Sequence, residues 1–146
     1  MRPVARVRRA MFARHCHPWS AWTRWASTPL TLVPVWTRRP SHAVWVGLWL
    51  ALNPFVFGKP SDENSWATRA MLGEERWIIQ RPKDAAMLVS ILTSAISLCG
   101  LVAARRRRLW PAVIATALQM ALTMVYWALM VRYFERTRQR SDARPK

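Results

Sequence analysis

Glycine is scarce in this chain, four in 146 residues, which comes close to excluding a phosphate-cradling loop. Cysteine is scarcer. Cys16 falls in a polar stretch and Cys99 inside an apolar one, so the two do not suit a disulfide, and neither implies an oxidising compartment. Acidic residues number seven against 23 lysines and arginines, and five of the seven lie between positions 58 and 84. No Ser/His/Asp arrangement or zincin motif is present. The run His15-Cys16-His17 holds three metal-binding side chains without a fourth at a recognisable spacing, so neither a metal nor a cofactor is expected. Beyond clusters of arginine there is no repeat, coiled-coil heptad or low-complexity tract.

Charge is also missing from two long stretches, residues 85–104 and 109–131. Twenty residues in a helix rise about 30 Å, enough to cross the hydrocarbon core of a bilayer. Only Arg105, Arg106, Arg107 and Arg108 separate the two runs. A connection this short implies an antiparallel hairpin, with the four arginines touching lipid head groups at a membrane surface. The formal charge of +16 does not form one basic surface. Its clusters each sit beside an apolar stretch, which argues for anionic lipid and against nucleic acid as the partner. Ten tryptophans point the same way, because Trp19, Trp22, Trp36, Trp110 and Trp127 mark the margins of apolar segments, as an interfacial belt does.

The first half is less regular. Residues 43–57 are apolar but only fifteen long, with Asn53-Pro54 near the end. Residues 26–36 hold Pro29 and Pro34, and Trp19, Trp22 and Trp25 precede them at helical spacing beside Arg24, placed to snorkel to the interface. Thr37-Arg38-Arg39-Pro40-Ser41 reads as a tight turn whose proline suits the first turn of the next helix. Counting lysines and arginines arbitrates between three and four spans. Three spans divide them twelve against eleven, which gives no orientation. Four spans set sixteen on one side against six in two short turns, which places both termini in the cytoplasm.

The expected fold is therefore an all-α integral membrane protein with three to four transmembrane helices, four favoured. A basic tail (1–17) precedes a membrane domain (18–133) with spans near 20–37, 42–57, 85–104 and 109–131, and a second basic tail (134–146) follows. Residues 1–14 lack the apolar segment that would follow the charges of a secretory signal, so the first tail is expected to be retained. In the polar loop 58–84, residues 64–80 read as an amphipathic helix lying on the membrane, which Gly73 breaks. The bias toward Arg, Ala and Trp fits a GC-rich bacterial source, hence the inner membrane.

Three ordered signatures carry a resemblance: Pro18-Trp19-Ser20-x-Trp22-Thr23-Arg24, then Asn53-Pro54-x-x-Phe57, then Trp66-Ala67 followed by Gly73-Glu74-x-x-Trp77. Over about residues 18–133 the chain resembles a family of small prokaryotic membrane proteins known only as a domain of unknown function. The resemblance implies a compact helical membrane protein without an assigned activity. His17 stands where that pattern has asparagine, and Met130-Val131 where it has a charged pair.

Few polar groups sit where chemistry could use them. Asn53 beside Pro54 suits a helix terminator, or a contact to an ion or substrate. Arg69, Glu74, Glu75 and Arg76 offer acid and base within one loop and suit an interfacial ion pair, although Arg69 and Glu74, five apart, are not ideally spaced on a helix. Acid/base work would need a carboxyl with a shifted pKa in a closed pocket. Gln119, near the middle of the last span, forms a polar stripe with Thr116, Thr123 and Tyr126. Ala86, Ser90, Ser94 and Ser97 form another, and the two stripes are expected to meet and hydrogen-bond. These residues suit a non-enzymatic accessory, assembly or scaffold component, partnered by lipid and by a second copy or another membrane protein. A small oligomeric transporter or channel using Gln119 is the alternative, followed by an interfacial enzyme using Glu74.

Overall fold

The computed structural model describes residues 16–58, 60, 62, 64–80 and 82–142. Every regular element among them is helical: α1 (Pro18–Ala26), a 3₁₀ turn (Thr28–Thr31), α2 (Leu32–Thr37), α3 (Pro40–Phe57), α4 (Trp66–Gln80), α5 (Ala85–Arg105) and α6 (Leu109–Asp142).

Local chemistry sets most boundaries. Pro18 and Pro40 open α1 and α3 at positions where the missing N–H has no intrahelical acceptor to lose. Pro29 tightens the chain into the 3₁₀ turn, so the first expected span is broken into two short helices. Asp84 caps α5 by accepting a hydrogen bond from the Met87 N–H at 3.1 Å. Arg38 and Arg107 close α2 and α5 in the left-handed conformation, at φ 57° and 58°. A residue with a Cβ gives up about 1–2 kcal/mol there.

α3 runs back along the 18–37 segment. Thr37 bonds His42 near the turn, Trp49 donates to Ser27, and Asn53 bonds Ser20 and Thr23. α5 and α6 form the expected hairpin. One Arg38 N–H donates to the Arg105 carbonyl oxygen at 3.2 Å, and the Arg107 guanidinium lies 5.5 Å from the Trp36 ring centre. The two arginine turns thus share one end of the molecule. At the other end α4 packs across α6 and meets the start of α1, where the Thr68 hydroxyl donates to the Cys16 carbonyl oxygen at 2.8 Å.

The interior is built from small side chains. Ala21, Ala67, Ala70, Met71, Ala86, Trp127, Met130 and Val131 form the main core, and Ala103, Ala104 and Ala112 a second one beneath α2. α4 does not break at Gly73. A Cβ on that glycine would lie 2.1 Å from the Met130 carbonyl oxygen, so Gly73 marks where the α4 and α6 backbones touch. The face α4 buries is therefore Ala67, Thr68, Ala70, Met71 and Gly73, while Ile78 and Ile79 near its end are exposed. α6 continues beyond position 131 to Asp142, so most of the expected second tail is helix, and Phe134 within it is buried.

α5, and α6 over Leu109–Arg140, are long and apolar enough to cross a membrane. α3 has inverted polarity. Its buried residue is Asn53, whereas Val44, Trp45, Leu48, Trp49, Leu52, Phe55 and Val56 are exposed.

Candidate functional site

The densest polar arrangement lies beneath α1. Asn53 is fully buried and uses both ends of its amide: the oxygen accepts from the Ser20 hydroxyl at 2.7 Å, and the nitrogen donates to the Thr23 hydroxyl at 2.8 Å. It does not terminate α3, which continues through Pro54 for another turn. Arg24, one turn beyond Ser20, bends inward. Its Nε donates to the Ser20 carbonyl oxygen at 3.1 Å and a terminal nitrogen lies 4.0 Å from the Met71 sulfur. The expected snorkelling to the interface gives way to helix packing, because that carbonyl and the sulfur sit within the side chain's reach.

Arg24 links this cluster to α4. Its charge acts on Glu74, whose carboxylate accepts from the Tyr126 hydroxyl of α6 at 3.2 Å. Burial pushes the Glu74 carboxyl above the usual carboxylate range, and the Tyr126 hydrogen bond and the Arg24 charge only partly offset that. Tryptophans wall the arrangement. The ring centres of Trp22 lie 5.9 Å from Trp25, 6.0 Å from Trp66 and 5.7 Å from Trp127, and Trp66 and Trp127 are 6.1 Å apart. Trp127 is buried and so does not belong to the expected belt, whereas Trp22 packs against it and is still exposed. Trp19 and Trp110 are exposed, as a belt requires.

The remaining sequence candidates lie elsewhere. Arg69 pairs with Glu135 of α6 at 3.1 Å, so its ionic partner is not in its own loop. Gln119 lines an open groove of about 380 Å³ with Thr93, Ser94, Ser97, Leu98 and Leu101. No hydrogen bond joins the two polar stripes across that groove among the described residues. Thr93, Ser94, Thr116 and Thr123 instead bond carbonyl oxygens of their own helices four residues back. Arg105, Arg106, Arg107 and Arg108 are exposed at the far end. His15 lies outside the described residues. Cys16 is buried, and His17 stacks on Phe57 with ring centres 5.7 Å apart. Among the described residues no three His, Cys, Asp or Glu side chains gather as metal ligands would.

Sequence reasoning had Asn53 and Glu74 but missed that Ser20 and Arg24 join them. The available signal was the helical spacing of Ser20, Thr23 and Arg24, three polar groups in a short tryptophan-rich segment. Thr68 gave no signal of its own.

One family model matches residues 6–87, that of a family of unknown function, DUF6653. The chain belongs to it. No curated protein and no solved structure matches the chain. The DUF6653 match takes in α1 to α4, and with them Ser20, Arg24, Asn53 and Glu74. It stops three residues into α5, so most of the hairpin lies outside it, whereas the resemblance reached to about residue 133. Met130-Val131 also lies beyond the DUF6653 match. Both residues are buried, and Met130 carries the backbone that Gly73 meets, so a charged pair there would have to be accommodated inside the packing.

Proposed function

We propose that this member of the family is a polytopic protein of the bacterial inner membrane, serving as a non-enzymatic accessory or assembly component. The observation that carries the reading is the polarity of α3. A large apolar side chain left in water forgoes up to about 1.5–3 kcal/mol. α3 alone exposes seven such residues while burying an asparagine, the arrangement expected where the surroundings are lipid and polar groups must be satisfied internally. The same packing supports a reading with four traverses: residues 18–37 and α3 form one antiparallel pair, α5 and the first part of α6 another, with both arginine turns at one end. With four traverses, the positive-inside count favours the two tails and the 58–84 segment on the cytoplasmic side.

The accessory role rests on how the polar groups are used. Asn53, Ser20, Thr23 and Thr68 all bond neighbouring segments of the same chain, which suits a rigid component more than a site awaiting substrate. The Gln119 groove is open at the side of the hairpin and is not an enclosed path. Reporter fusions after Lys59, Arg108 and Lys146 test the topology. Cytoplasmic signals are expected at Lys59 and Lys146, with an external signal at Arg108. Opposite-side signals at Lys59 and Lys146 would overturn the four-traverse reading.

A further inference from the structure

At the end of the molecule away from the arginine turns, the start of α5 and the C-terminal half of α6 line a half-open cavity of about 280 Å³. It is lined by Asp84, Ala85, Ala86, Leu129, Arg132, Tyr133 and Arg136. A single water needs only about 10–15 Å³ of such space, so the cavity admits a group well above water size, such as a phosphate. Arg132 and Arg136 are one helical turn apart on α6 and so share a face. Both are exposed, and neither has a hydrogen bond or ion pair among the described residues, in contrast to Arg69 and Arg76 of α4, which engage Glu135 and Thr137.

Asp84 contributes the cavity's negative charge, but its carboxylate is already engaged. Both oxygens accept from the Trp77 indole N–H at 3.1 Å, and one also accepts from the Met87 N–H. The Tyr133 hydroxyl, between the two arginines in sequence, donates to Gln80. Arg132 follows directly on the apolar run that ends at position 131, which sets the cavity at head-group depth if α6 spans the bilayer.

We propose that this cavity is a stoichiometric site for the phosphate of an anionic lipid, held by Arg132 and Arg136. Guanidinium groups bind phosphate through paired, charge-assisted hydrogen bonds, and basic pockets between membrane helices are suited to anionic head groups. The site deepens the membrane reading above and rests on it. It differs from the 105–108 turn, whose arginines lie exposed at the opposite end and attract anionic lipid diffusely.

The test is native mass spectrometry of the full chain, reconstituted in phosphatidylcholine vesicles with or without phosphatidylglycerol and then released into detergent. Wild type is expected to retain one phosphatidylglycerol per chain. R132Q/R136Q is expected to weaken retention at least about tenfold, given two lost charge-assisted contacts. R138Q/R140Q removes the same charge from the same helix and is expected to retain the lipid. Ala85→Leu keeps every charge but fills the mouth of the cavity, and is expected to lose it. Equal loss in both double variants would overturn the site in favour of diffuse attraction. Retention in Ala85→Leu, or inorganic phosphate binding as tightly as the lipid, would also overturn it. A wild-type chain that does not integrate into vesicles at all would defeat the membrane reading itself, an outcome distinct from integration without a retained lipid.

Discussion

Asn53 and Glu74 are polar residues in apolar company, and each is held by a partner far away in sequence. Asn53 bonds residues 33 and 30 positions away, and Glu74 meets Tyr126 across 52 positions. The sequence marks such residues as unusual because an unsatisfied polar group among apolar side chains is costly. It does not name their partners, because any nearby hydroxyl would satisfy the same need. Glu74 carries the clearest consequence. Its folded pKa is raised by burial, so its contribution to stability is fully present below the unfolded value, about 4.3, and is lost as pH rises through the folded value. The thermal midpoint in detergent is expected to fall as pH rises above about 4. Glu74→Gln is expected to flatten that slope while still accepting from Tyr126. A slope that persists unchanged in the variant would contradict this account.

Among the helices, the glycines separate two kinds of close approach. At Gly73 a methyl group would meet the Met130 backbone, which cannot swing aside. At Gly100 it would lie 3.3 Å from the Ala115 Cβ and farther from Thr116 and Ala112. Gly73→Ala is expected to cost about 3 kcal/mol through forced separation of α4 and α6. Gly100→Ala is expected to change stability by less than about 1 kcal/mol, since the helix-propensity gain offsets the tighter fit. Denaturation in detergent measures both, and equal effects would refute the contrast. The long hairpin was legible from sequence because charge-free length and a four-residue turn leave little alternative. The fate of residues 64–80 was not. Gly73 reads as a breaker from propensity, and only the position of α6 turns it into a contact. For the same reason α6 was expected to end with its apolar run, although Phe134 and Thr137 carry the helix onward against Arg76 of α4.

At the scale of the whole molecule, the family match and the folding unit have different bounds. The DUF6653 segment ends at position 87, yet the face that α4 buries is closed by Trp127, Met130 and Val131 of α6. A chain ending at Lys83 is therefore expected not to accumulate as a folded species, and co-expression of residues 84–146 is expected to restore it. Protease protection and yield would report the rescue, and a stable, monodisperse 1–83 product would show that the hairpin is dispensable. Overall polarity was legible in the arginine clusters. That both short turns share one end followed from the four-span count, whereas the bond that ties them, from Arg38 to the Arg105 carbonyl across 67 positions, had no signal in the sequence.

The Gly73 contact also sets an order in time. Tyr126, the α6 partner of Glu74, follows it by 52 residues. At about 5–20 residues per second of synthesis, α4 waits roughly 3–10 s for the surface it fits. During that interval the α6 surface that covers its alanine-lined face does not yet exist, so α4 can reach its final packing only once the last helix is made.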